Sequence, residues 1–208
     1  GLAAIITVTL ALSMVYGIRI SGKKLPLLIL PLTTIGYAAP GAVLGIGILV
    51  PLAFFDNWLA DRIFDLTRYD PGLIFTGTAF AIILAYFVRF FSIAQQTVDG
   101  ALGRVSPSLP NAARSLGRNK LQVLWEIYRP LISASTAAAL LLVFVDCVKE
   151  LPATMLLRPF NFETLATRVH VQASLEDLPN AAPGAILIVL IGLCAVFLLA
   201  RVTKQISN

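Results

Sequence analysis

The chain has 208 residues, 58% hydrophobic and only 13% charged, with a net charge of +5. Soluble domains carry about 25% charged residues, so a soluble globular domain is excluded. The basic surplus is read as membrane topology, since no interleaving of basic and aromatic side chains points to nucleic acid.

A bilayer crossing needs about 20 apolar residues, and five such runs follow in order: 1–18, 35–55, 72–91, 131–151 and 183–200. Residue 1 already lies in an apolar run with no charged segment before it, so a signal peptide is a poor reading. The chain reads as a fragment, the later part of a longer protein. Segments 19–24, 89–130 and 201–208 share one side and hold eleven Lys and Arg against two acids. Segments 56–71 and 149–182 hold five against eight acids. The positive-inside rule puts the first set in the cytoplasm.

The second span contains "IGYAAPGAVLGIGILVP". Gly41 and Gly45 have the spacing that lets a second helix approach closely, and Pro40 predicts a kink. Two readings stand for Pro40 and Gly41: helix packing, or a hinge lining a translocation path.

Residues 92–130 form a cytoplasmic loop whose second half, "PNAARSLGRNKLQVLWEIYRPL", is basic and patterned. Pro110 is expected to break the chain and Asn111 to cap a short helix with Ala112, Ala113 and Leu116 on one face. Gly117 suits a left-handed helix end. A second helix is expected from about Asn119, with Leu121, Leu124, Trp125 and Tyr128 as an apolar stripe. A basic amphipathic segment of this kind can also lie on anionic lipid.

At the outer end of the fourth span stand Asp146, Lys149 and Glu150. An Asp146–Lys149 pair has helical spacing, and charges in a span usually face a bundle interior or a watery cavity. A gate or path lining and an interfacial ion pair both fit. Residues 163–175 suggest a short outer helix, and Asp56, Asp61, Asp65, Asp70, Glu176 and Asp177 suggest an acidic outer rim, which the charge bias alone also explains. Cys147 and Cys194 read as small buried hydrophobes, and the lone His170 suggests no metal site.

Asn111-Ala112-Ala113, three residues, Gly117, nine residues, then Ile127-Tyr128-Arg129-Pro130 resembles the EAA loop of ABC-importer permeases. That pattern is EAA, three residues, G, nine residues, I-x-L-P. Asn111 stands in place of Glu and Arg129 in place of Leu. "KELPATMLLRPFNFETLATRV" (149–169) and "GYAAPGAVLGIG" are similar to the ferric-iron permeases of that group. The resemblance implies an all-α, five-span permease core, a single domain over 1–208 that can be the C-terminal half of a fused permease. It implies a coupling helix, with Asn111, Ala112, Ala113, Arg114, Leu116, Gly117, Ile127 and Pro130 facing a cytoplasmic ATP-binding subunit. A periplasmic binding protein, a second permease half and membrane lipid are the other partners, in a bacterial inner membrane.

No GxxxxGK[ST] loop occurs, so ATP and Mg²⁺ are expected on the partner ATPase, with no cofactor, metal site or catalytic residue in this chain. Importers for thiamine, polyamines and phosphonates share the fold and the loop. A secondary transporter using Asp146 and Glu150 as proton-linked groups is the competing reading. No HExxH, Ser/His or paired-Asp motif supports an intramembrane enzyme.

Overall fold

The computed structural model describes residues 1–21 and 33–207; Lys23 and Lys24, counted above on the basic side, lie outside the described residues. Among the described residues the chain is helical, without strands. The helices are α1 (Leu2–Ser21), α2 (Ile35–Ala38), α3 (Gly41–Thr67), α4 (Ala79–Gly103), α5 (Ser108–Ser115), α6 (Lys120–Lys149), α7 (Pro152–Leu157), α8 (Leu165–Ser174) and α9 (Leu178–Ser207). Five of them, α1, α3, α4, α6 and α9, are long and apolar enough to cross a membrane.

Helix α4 is the centre of the bundle. Its Ala81, Ala85, Phe90, Phe91 and Ala94 are buried against Ala4, Val8 and Ala11 of α1 and Ala139 and Val143 of α6. Alanines at these contacts let the backbones approach, which is how helices pack where lipid removes the hydrophobic drive. Helix α9 is apolar yet exposes Ile186, Leu190, Leu193 and Phe197, a surface suited to lipid or to another apolar partner.

The second span is broken where Pro40 predicts. Ala39 (ψ 138°) and Pro40 (ψ 137°) are extended, and α3 starts afresh at Gly41. Pro51, by contrast, sits inside α3 without ending it. Gly36 of α2 lies so close to the carbonyl of Val88 that an added Cβ would collide with backbone. Gly36→Ala is therefore expected to push α2 off α4 and cost about 1–3 kcal/mol, seen as a lower unfolding temperature in detergent.

Several boundaries differ from the sequence expectations. Helix α3 continues to Thr67, closed by Arg68 in the left-handed region (φ 58°) with its N–H on Phe64 O. The third span begins at Ala79 rather than residue 72, because the loop before it folds back onto Asp56. That carboxylate accepts backbone N–H bonds from Ile74, Phe75 and Thr76 and is fully buried. Asp56 is thus no part of an acidic rim. The third span then runs on to Gly103, and Arg89 falls inside it, about 15 Å from its outer end at 1.5 Å per residue. Arg89 leaves the cytoplasmic charge count, which keeps its sign. Cys147 is buried as expected, whereas Cys194 is exposed on α9. The short outer helix is α8, started by a Thr164–Thr167 capping box.

Candidate functional site: a basic helical segment and a polar junction

The basic segment folds as two helices around a glycine turn. Helix α5 starts at Ser108, not at Asn111: Pro110 is its third residue, a position whose N–H would have no helical partner anyway. Asn111 is consequently on the exposed surface, its N–H bonded to Pro107 O at 3.2 Å. The helix closes with Gly117 N–H on Arg114 O (2.9 Å) and Arg118 N–H on Ala113 O (3.0 Å), with Gly117 at φ 83°. This double closure is the Schellman motif, whose left-handed residue is favoured as glycine. It gives the Ala-x-x-x-Gly spacing a physical meaning: Ala113 and Gly117 are the two ends of one helix stop. Asn111, Ala112, Arg114 and Leu116 are exposed, Leu116 to 84%, and Ala113 is half-buried.

Asn119 starts the next helix through a reciprocal capping box with Gln122, both bonds 2.8 Å. This helix does not lie separately at the surface. It runs unbroken as α6 into the fourth span, through a π-helical turn at Leu124–Tyr128. Pro130 accounts for that turn: it has no N–H for the carbonyl of Glu126, and its ring crowds that carbonyl. The anticipated apolar stripe is largely outward, with Leu121 66% and Trp125 59% exposed, and Val123 is the buried residue instead. Ile127 and Tyr128 are half-buried. Tyr16 of α1 holds the segment, donating to Lys120 O at 2.6 Å and meeting the Tyr128 ring edge-on at 5.4 Å. Arg118 pairs with Glu126 at 3.1 Å, and Arg104 donates to Ser135 at 3.0 Å.

At the other end of α6, the structure divides the charged candidates. Asp146 and Lys149 pair locally at 2.7 Å beside a cavity of about 150 Å³ that Ala195, Val196 and Leu199 of α9 also line. Glu150, Pro40 and Gly41 come together elsewhere, around Arg89, a residue the sequence reading had placed in the cytoplasm. Arg89 Nη1 donates to Ala39 O at 2.9 Å, and its Nε lies 3.1 Å from Glu150 Oε2. The Nε–H is not aimed at that oxygen, so the contact is ionic rather than a directed hydrogen bond. Glu150 Oε1 accepts from Ala153 N at 3.1 Å. Thr154 donates to Glu150 O at 3.0 Å and shares a 2.6 Å bond with the Tyr86 hydroxyl.

Space at this junction is tight. A Cβ on Gly41 would lie 2.8 Å from Glu150 Oε1 and 3.2 Å from Pro152 Cβ, and one on Gly45 3.0 Å from Leu156 Cδ1. The Gly41/Gly45 spacing thus seats α7, a short helix that the sequence did not reveal. Arg89 could have been singled out as the single charge in the otherwise apolar run 79–91, but nothing local named its partner. Among the described residues no group of His, Cys, Asp and Glu could hold a metal ion.

Five apolar spans, with a capped, exposed helical segment on the basic side, define a multi-pass membrane protein. The chain belongs to the family described as binding-protein-dependent transport system inner membrane component, whose model matches residues 6–208. It is 31% identical over 201 residues to the Fe(3+)-transport system permease protein FbpB 2 of Haemophilus influenzae, covering 97% of this chain and 37% of that protein. It is 27% identical over 160 residues to the ferric transport system permease protein FbpB of Actinobacillus pleuropneumoniae, covering 76% and 22%. PhnV of Salmonella typhimurium, named for 2-aminoethylphosphonate transport, is 29% identical over 174 residues, covering 82% and 58%. The chain therefore spans about a third of FbpB 2 and just over half of PhnV. The importer-permease resemblance and the inner-membrane location hold.

Proposed function

We propose that this chain is a transmembrane part of an ATP-driven importer that takes ferric iron from a periplasmic binding protein into the cytoplasm. The observation that carries the reading is the coupling segment: an exposed helix stopped at Gly117 and followed, after the Asn119 cap, by α6, which runs unbroken into a membrane span. ATP and Mg²⁺ belong to a cytoplasmic ATPase, against which α5 docks. Asn111, Ala112, Arg114 and Leu116 make the contact, and Gly117, Ile127 and Pro130 shape the turn behind it. A second permease half, fused or separate, completes the path. The ferric assignment draws on the names of the FbpB relatives; PhnV makes a phosphonate the other substrate to test. An ion-driven carrier is less well supported, because Asp146 and Glu150 each already face a cation at ion-pair distance.

The test is ATP hydrolysis and ⁵⁵Fe uptake by the full-length permease with its ATPase in proteoliposomes. Stimulation by iron-loaded binding protein is expected. Stimulation only by a binding protein carrying 2-aminoethylphosphonate would move the substrate, and no complex with an ATPase would sink the importer reading. Gly117→Val places a β-branched residue in a left-handed conformation, at a cost of about 1–2 kcal/mol, while its Cβ meets open space. Uptake is expected to fall about tenfold, the factor that corresponds to 1.4 kcal/mol, in a protein that still inserts and binds detergent as wild type. Wild-type uptake would remove Gly117 from the coupling role.

A further inference from the structure

Two helix breaks, far apart in the chain, meet at one side chain. The first is Ala39–Pro40 between α2 and α3, and the second is Glu150–Leu151 between α6 and α7, where Glu150 is extended (ψ 121°). Arg89, from the unbroken central helix α4, holds both: Nη1 on the Ala39 carbonyl, and Nε beside the Glu150 carboxylate. At each of these joints the extended residues interrupt the helical hydrogen-bond ladder, and across the second one the bonds are those of Glu150 to the Ala153 N–H and the Thr154 hydroxyl.

We infer that the Arg89–Glu150 contact is a reclosable strap, holding both joints against α4 in this conformation and parting once in each transport cycle. The inference rests on the importer reading above. Three observations carry it. The contact is built from charges where packing alone would favour apolar side chains, so holding the fold together does not account for it. Its geometry is imperfect, since the Nε–H is not aimed at the carboxylate, and the Arg89 side chain keeps 19% of its surface accessible. Finally, α6 connects it to the coupling segment: 30 helical residues run without a break from Lys120 to Lys149, about 45 Å at 1.5 Å per residue. A push on the cytoplasmic end of such a rod arrives at Glu150. The π-helical turn is the one irregular point along it.

The test uses the full-length permease with its ATPase and binding protein in proteoliposomes, in a Cys147→Ala, Cys194→Ser background. Tyr86→Cys on α4 and Thr154→Cys on α7, whose wild-type hydroxyls lie 2.6 Å apart beside the strap, are bridged with a bifunctional methanethiosulfonate reagent, which ties the second joint to α4 and leaves Arg89 and Glu150 in place. Bridging is expected to cut uptake at least tenfold, and reduction to restore it; uptake at the unbridged rate would overturn the strap. A second variant, Arg89→Met with Glu150→Leu, keeps the packing volume but removes the charges. Its ATPase is expected to lose most of its stimulation by the loaded binding protein, whereas an unchanged stimulation ratio would make the pair merely structural and overturn the inference. If the unmodified protein showed no ATP-driven uptake of any substrate, the importer reading would fail first and the strap with it. That result is distinct from bridging without effect, which removes the strap alone.

Discussion

Glu150→Gln destabilises the permease by about 3–5 kcal/mol, the cost of leaving a buried charge without its partner. Arg89 stands about 15 Å along α4 from its outer end, with its guanidinium 5.9 Å from the centre of the Phe90 ring. With the carboxylate gone it faces only the Ala39 carbonyl and a neutral amide. The loss is read as a drop in the temperature at which the detergent-solubilised protein leaves its monodisperse peak. Arg89→Met combined with Glu150→Leu is expected to recover part of that stability, because two apolar side chains pay no desolvation, although the Ala39 carbonyl and the Ala153 N–H lose their partners. Recovery of stability without recovery of ATPase stimulation is the combination that a strap predicts. If the single variant were as stable as wild type, water would have to reach Arg89 freely, and the burial of Glu150 would carry no energetic weight.

Asp56→Ala is the second large effect. Its carboxylate takes the N–H groups of three consecutive residues, Ile74, Phe75 and Thr76. A charged hydrogen bond contributes about 1.5–3 kcal/mol, so the variant is expected to lose about 3 kcal/mol or more even if water recovers part of the set. Asn, which can accept through one oxygen only, should lose about half as much. The damage is local: residues 68–78 would detach from α3, and limited proteolysis from the outer side should cut there first. Protection of that loop equal to wild type would show that the tilted ring contacts of Phe75 with Phe55 and Phe80 hold it instead.

Much of the basic segment, and the ion pair at the far end of α6, was legible because the signals are local. Gly117 at a helix stop, Asn119 at a helix start and the Asp146–Lys149 spacing each depend on neighbours within four residues, and each stands where expected. Pro110 was misleading for a similarly local reason. Proline ends a helix when it is interior but is tolerated within the first turn, and only the position of Ser108 decides which case applies. The continuity of α6 was hidden by Pro130, which reads as a boundary but is absorbed by a π-helical turn.

Composition and run length by themselves determined that this is a helical membrane protein with five spans and one side more basic than the other, because a bilayer demands apolar length and penalises misplaced charge. Only the tertiary structure decided which charges meet. Arg89 and Glu150 lie on different helices, as do Ala39 and Arg89, and the run of residues around each one is the same whichever partner it finds. Asp56 looks like any other outer acid until the loop at 74–76 closes over it. Local propensity sets where helices start and stop; the pairing of buried charges is set by which helices pack together, and that is a property of the whole bundle.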